Sequence, residues 1–515
     1  MFPKHPSSPS PPRRGDQVRA LSLGHPEARG YAISIMTPPI QSLGQSQLEA
    51  ESPSALRSRL AELRKEAIAL KSRMEWVRAE QKRAQTALDS FKYPVLTLPT
   101  EITSEIFTHY VHEPRIGRPR SYNESQSRGP LPLAGVCRTW RDVCLANPSL
   151  WATLSIYPTH SWPVDAFLRL LKSWLDRAGN HPLHLRVFHK EHHFSYATEI
   201  YTLLSRYSST IRTFDVALDQ PHSFPNAAFQ DCLPLLTKLH VKITAFGYRP
   251  DRITAFADAP KLREVGLSGT SFEWLALPWI QLTKLELASQ TVSNCFKILQ
   301  ETTNLQFLTI TTLTADRVEP TLSPQLTLPR LHSFILYYTN RALLNVLTLP
   351  ALRCLYIGSL GQEDVPSFQA LSTRSEWPLE AIRICRSSSK PLVLCLRSVP
   401  SVIDVDIEAP WDSREEYTFG YRTFLTDNSF LPALRSFTLR PFSSEAIRDD
   451  EVAEIVEFRA SGSNEGIAKL EVFRLICSRE VPRQFMKVVR EQLLPLKDAG
   501  LKLGIMYEPL SSLAI

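Results

Sequence analysis

Glycine is scarce here, 18 residues in a chain of 515. No Gly-rich loop able to cradle phosphates occurs, which removes the common nucleotide-binding signatures. A Gly-x-Ser-x-Gly elbow and a His-Glu-x-x-His helix are missing as well, so two familiar hydrolase constellations have no foothold. The eight cysteines are scattered without paired spacing, and Cys385 and Cys395 lack zinc-knuckle spacing. Cys354 and Cys395 sit inside apolar runs, where a reduced thiol packs as a small hydrophobe. That fits a reducing compartment, cytosol or nucleus. No run of about 18 apolar residues exists, so no membrane span is expected. The basic residues near the N-terminus are not followed by the compact apolar core of a secretory signal. A net charge of +7 is small for this length and does not argue for nucleic acid. His189, His192 and His193 cluster, but without a cysteine or placed carboxylate as third ligand they read as a polar loop. Neither an enzyme nor a bound cofactor or metal is expected.

What is present is apolar material in three patterns. Hydrophobic residues make up 43% of the chain, enough for a sizeable core, and the length suits two to four domains or one elongated repeat. Residues 1–52 are rich in Pro, Ser and Gly and predict a disordered tail. Residues 54–92 predict one long helix. Leu56, Leu60, Leu63, Ala67, Leu70, Met74, Val77, Gln81, Ala84, Leu88 and Phe91 alternate at spacings of four and three, a heptad seam. The e positions Arg57, Arg64, Lys71 and Arg78 are all basic, and the g positions Arg59, Glu66, Arg73 and Glu80 alternate in sign. Such a helix over 56–91 needs a partner. In a symmetric parallel dimer Arg59 and Arg73 face cations, so a different partner, or docking within the chain, stands beside self-pairing.

Residues 93–156 form the second pattern. Pro99 suits a first helical turn, Glu101 and Glu105 meet the positive end of the dipole, and Ile102, Ile106 and Tyr110 share one side with Phe107 beside them. A second helix carries Leu133, Val136, Cys137, Trp140 and Cys144 and stops at Asn147-Pro148. On the apolar side of so short a helix, Cys137 and Cys144 read as packing thiols. Helices this short cannot cover all these side chains by themselves. The blocks Leu98-Pro99-x-Glu101-Ile102, Ile106-Phe107, Val136-Cys137-Arg138-x-Trp140-Arg141 and Pro148-x-Leu150-Trp151 together resemble an F-box. That resemblance implies docking to a Skp-type adaptor and through it a cullin, with Leu98, Pro99, Ile102, Ile106, Phe107, Val136, Cys137, Trp140 and Trp151 as contact or supporting residues. A polar insert at about 112–130 departs from the usual spacing and reads as a surface loop. The order of heptad helix and F-box is similar to the layout of many fungal F-box proteins. A helical hairpin packed inside a larger domain is the plainer alternative.

The third pattern is a repeat across 157–500. Helices are expected over Pro163–Arg177 and Ser195–Tyr207, with a strand over Leu183–Val187 between them. An L-x-x-L-x-L frame then recurs, from Ile211/Phe214/Val216 through Leu236/Leu239/Val241 and eight more units to Leu470/Phe473/Leu475. Leu-Pro-x-Leu recurs at Leu328, Leu349 and Leu431. One unit cannot cover its own apolar face, so units stack, strands side by side and helices outside. The pattern resembles the leucine-rich-repeat domains found behind many F-boxes, although Thr244, Thr270, Gln290 and Thr339 stand where the asparagine of that family is usual. A globular α/β domain with coincidental leucine spacing is the alternative.

The expected fold class is therefore α/β: a long N-terminal helix, a small all-α F-box, an irregular solenoid of parallel strands, and a tail at 501–515. His240, Glu286, Phe307, Tyr356, Arg383, Asp404 and Asp406 would line the concave face. Their mixed, partly aromatic character suits an unknown target protein better than nucleic acid. The resemblance implies a substrate-recognition adaptor of a cullin-based ubiquitin ligase. A non-ligase interaction scaffold using the heptad helix and solenoid is the second expectation.

Overall fold

A computed structural model describes residues 52–90, 94–111, 115–117, 129–158, 163–188, 197–218, 224–229, 233–243, 252–314, 325–338, 340–408, 423–424, 427–441, 449–461 and 466–508. The expected tail at 1–51, Phe91, most of the insert, the histidines at 189, 192 and 193, and Thr244 and Thr339 lie outside these residues. The chain divides into two units, residues 1–93 and 94–515.

In the first unit, helix α1 spans Pro53–Ser90. Pro53 opens it without losing a needed N–H. The Ser52 hydroxyl accepts the Ala55 N–H at 3.4 Å as a cap. No glycine or proline then interrupts 37 residues rich in Ala, Leu, Arg, Lys and Glu, all good helix formers. Leu60, Leu63, Leu70, Met74, Val77 and Leu88 are all exposed.

The second unit is mixed α/β and is built on a 15-stranded sheet whose strands follow chain order. They are β1 Arg115–Gly117, β2 Thr153–Tyr157, β3 Leu183–Phe188, β4 Ile211–Leu218, β5 Lys238–Ile243, β6 Glu264–Ser268, β7 Lys284–Ala288 and β8 Phe307–Ile310. There follow β9 Ser333–Leu336, β10 Cys354–Ile357, β11 Ala381–Ile384, β12 Asp404–Glu408, β13 Ser436–Arg440, β14 Val472–Cys477 and β15 Lys502–Tyr507. Every neighbouring pair is parallel. All eleven frames read from the sequence fall on consecutive strands, β4 to β14, and all three residues of each frame are buried. Trp151, Leu154 and Ile156 make one more such frame, on β2.

Backbone bonds join each turn to the one before. The N–H groups of Glu264, Lys284, Phe307 and Ser333 donate to the carbonyls of Thr237, Arg263, Thr283 and Gln306, and the series continues to Lys502 on Glu471. The missing asparagine has a partial substitute. Gln290, itself buried, donates its amide to the Leu267 carbonyl of the preceding turn at 3.5 Å and to Thr270 at 3.4 Å. Connection length follows the local element. The shortest interval, Leu262 to Leu282, uses 3-10 turns at Phe272–Trp274 and Trp279–Gln281. The longest, Leu434 to Leu470, carries the helix Asp449–Ala460. The copied phrase also pairs with its copy: Leu326-Thr327 lies parallel to Leu347-Thr348, just ahead of two Leu-Pro-x-Leu runs.

Five expectations are corrected. The helix expected through Cys137 is two, α3 Pro130–Val136 and α4 Arg138–Ala146. Cys137 is extended between them, and its sulfur accepts the Trp140 N–H at 3.5 Å. Part of the insert is strand β1, at the sheet edge beside β2, where a surface loop was expected. The boundary drawn after residue 156 falls inside β2, and one hydrophobic core runs from Phe107 and Trp151 into the sheet. The supposed tail at 501–515 holds β15, paired along β14 from Val472↔Lys502 to Cys477↔Tyr507. Pro99 stands just before helix α2, Thr100–Tyr110, rather than in its first turn. Among the described residues no helix is long and apolar enough to cross a membrane.

Leu285 is fully buried at the middle of this stack. Leu285→Ala is expected to lower stability by about 2–5 kcal/mol through the cavity it leaves, read as a lower urea midpoint.

Candidate functional site

Two surfaces collect the residues singled out in the sequence. The first is made by α2, α3, α4 and the 3-10 turn Pro148–Trp151. Their inner side is tightly tied. Phe107 meets Trp140 edge to face at 5.0 Å between ring centres. The Trp151 indole N–H donates to the Cys144 carbonyl at 2.8 Å, and Trp174 donates to the Trp151 carbonyl at 2.9 Å. The Arg177 guanidinium lies 4.7 Å over the Trp151 ring. Burial pushes the Cys144 thiol up to about 11, so it packs rather than reacts.

The outer side is different. Leu98, Ile102, Ile106 and Val136 are exposed, the last by 61%, and Val95, Leu131 and Leu145 join them. Among the described residues, only six large apolar side chains are comparably exposed in the whole remainder of this unit. Scattered single exposed apolar residues are the norm, so seven within residues 95–145 are a departure from it. Of the nine residues expected to bind an adaptor, Leu98, Pro99, Ile102, Ile106 and Val136 face solvent. Cys137 and Trp140 are half-buried, and the Trp140 indole nitrogen is enclosed without a hydrogen bond. Phe107 and Trp151 are each only 1% exposed. Their side chains are used up in the core beneath and do not reach the outer side.

The second surface is the face of the sheet that the frame residues turn away from. Strand register places one residue per strand in a single row: Ser155, Arg186, Asp215, His240, Gly266, Glu286 and Thr309. It continues through Ile335, Tyr356, Arg383, Asp406, Thr438, Arg474 and Gly504. His240, Glu286, Tyr356, Arg383 and Asp406 all stand in it. Phe307 and Asp404 stand in the adjacent row, which runs Phe307, Ser333, Cys354, Ala381, Asp404. The structure thus brings all seven expected residues onto one face.

That face has three parts. Over β2 to β7 lies a cleft of about 540 Å³. Within it Asp215 accepts from His240 Nδ1 at 3.1 Å and sits 3.7 Å from Arg186 Nε. His184 Nδ1 is 2.9 Å from the Thr213 hydroxyl, and burial lowers the pKa of that imidazole. Gly266 makes room for the His240 ring, since a Cβ there would lie 2.2 Å from Cδ2. Over β11 to β15, Arg440 grips Asp406 with two bonds, at 2.7 and 3.0 Å, and reaches Glu508 at 3.7 Å. Arg383 lies 3.6 Å from Asp406 and stacks 5.1 Å over the Tyr356 ring. Between the two charged zones are exposed Phe307, half-exposed Ile335, and Tyr337 packed on Tyr356 at 5.2 Å. The face thus has an apolar, aromatic centre between polar margins.

Sequence reasoning missed Arg186, Asp215, Gly266, Arg440 and Glu508. The first three occupy the same slot of the frame as His240, between two inward residues, so the slot itself was the available signal. Glu508 falls within 501–515, where the sequence predicts only a tail. Among the described residues no His, Cys, Asp and Glu cluster could hold a metal ion.

The two roles on the helical surface separate by stability. Phe107→Ala is expected to cost about 3–5 kcal/mol, whereas Ile102→Ala stays within about 0.5 kcal/mol, both measured by urea unfolding. Compared with known proteins, the chain matches no family model and no curated protein.

Proposed function

We propose that this chain is the substrate-recognition subunit of a cullin-based ubiquitin ligase. A Skp-type adaptor grips the helical surface, and the open face of the sheet holds a target protein. The observation that carries this reading is the exposed set Leu98, Ile102, Ile106 and Val136, mounted on helices anchored from behind by Phe107 and Trp151. These residues lie in the blocks that resemble an F-box, and the turns behind them resemble leucine-rich repeats. The paired charges and aromatic centre of the sheet face support a protein target. On this reading the chain makes and breaks no bond itself. It raises the effective concentration of target lysines near the charged enzyme.

A second reading is a scaffold outside any ligase. The unbroken core from Phe107 into the sheet favours it, because the helices then serve as structure that closes the stack. Binding to a purified Skp-type adaptor separates the two. The intact chain is expected to bind, and Ile102→Asp with Ile106→Asp to weaken binding at least about 100-fold, since each removes roughly 1.5–3 kcal/mol of apolar burial. No binding by the intact, folded chain selects the scaffold.

A further inference from the structure

We infer that α1 pairs with an acidic helical segment of another protein, and not with a second copy of itself. Its apolar seam is presented along nearly its whole length, with Leu60, Leu63, Leu70, Met74, Val77 and Leu88 all exposed. A stripe of this kind is stable in water when a second helix covers it. The charges beside the seam say which helix.

In a parallel pair of identical helices, each g position faces the e position of the next heptad on the partner. Arg59 then faces Arg64, and Arg73 faces Arg78. Only Glu66 finds a cation, Lys71, while Glu80 faces the neutral Gln85. Twofold symmetry doubles both repulsions. In an antiparallel pair e faces e, and Arg57, Arg64, Lys71 and Arg78 line up against the same four cations. Like charges so placed oppose pairing in either direction. A helix with glutamate or aspartate along the facing flank meets all four cations favourably.

Packing points the same way. Ala67 and Gln81 fill a positions and Ala84 a d position. In a symmetric parallel pair, a faces a and d faces d, so the two Ala67 side chains meet and leave a gap. A different helix can set large side chains opposite these small ones. The polar Gln81 then fixes register.

The inference is independent of the ligase reading and is tested on the full chain. The probe is a synthetic 35-residue helix-forming peptide with Ile at a, Leu at d and Glu at e and g. The control peptide carries Lys at e and g. Sedimentation at about 10 µM is expected to show α1 making no dimer. Fluorescence anisotropy is expected to show the glutamate peptide bound tenfold or more tighter than the lysine peptide, about the least that four reversed pairs imply. That preference should shrink as salt rises to about 0.5 M. Leu63→Asp with Leu70→Asp, both at exposed sites, should abolish binding without unfolding the rest. A dimer that this double variant dissolves would overturn the inference in favour of a second copy. Equal binding of both peptides would remove the charge argument. Binding of neither would mean that the seam is closed by another part of this chain.

Discussion

A repeat unit that turns three large apolar side chains to one side, one before its strand and two on it, has nothing of its own to bury them against. That shortage governs the second unit. Leu285 and Leu287 are dry only because β6 and β8 bring Val265, Leu267, Leu308 and Ile310 alongside. Each added strand also leaves a row of unpaired backbone groups, which the next turn must take up. The result is a chain-ordered parallel stack in which every turn depends on its neighbours and no turn stands alone.

A stack has two ends, and each must be closed. At one end β1 and β2 pair, and α2, α3 and α4 fold over the first turns with Phe107, Trp140, Trp151 and Trp174 between them. At the other, β15 pairs along β14 while the helix Arg483–Asp498 buries Met486, Val489 and Leu493. Helices fastened from within by an indole hydrogen bond and edge-to-face rings present Ile102 and Ile106 from a firm base. On the proposed reading that firmness favours docking, because side chains already ordered lose less entropy on binding.

The open face obeys the same repeat. Because side chains alternate, whatever lies between two inward residues points outward, and register lines these residues up strand by strand. Arg186, Asp215 and His240 become neighbours for this reason, although they lie far apart in the chain. So do Tyr356, Arg383 and Asp406. Most of their charges are committed to one another, and the aromatic centre around Phe307 and Tyr356 is left as the apolar part of the face.

The period and the alternation were legible in the sequence because they are local. An L-x-x-L-x-L frame sets which residues turn inward, and each of the eleven frames read this way places its last two residues on a strand, with all three buried. The seam of α1 was legible for the same reason. What the chain alone did not decide was anything resting on contact across long separations. Phe107 and Ile106 are adjacent and both apolar, yet one is sealed against Trp140 and the other faces water. Arg115–Gly117 becomes an edge strand because β2 offers unpaired backbone groups, and Lys502–Tyr507 becomes one because β14 does. Residue type and spacing determined the repeating unit and its two faces. Only tertiary packing decided where the stack ends and which apolar side chains stay outside, since burial belongs to the neighbours that fold against a residue and not to the residue itself.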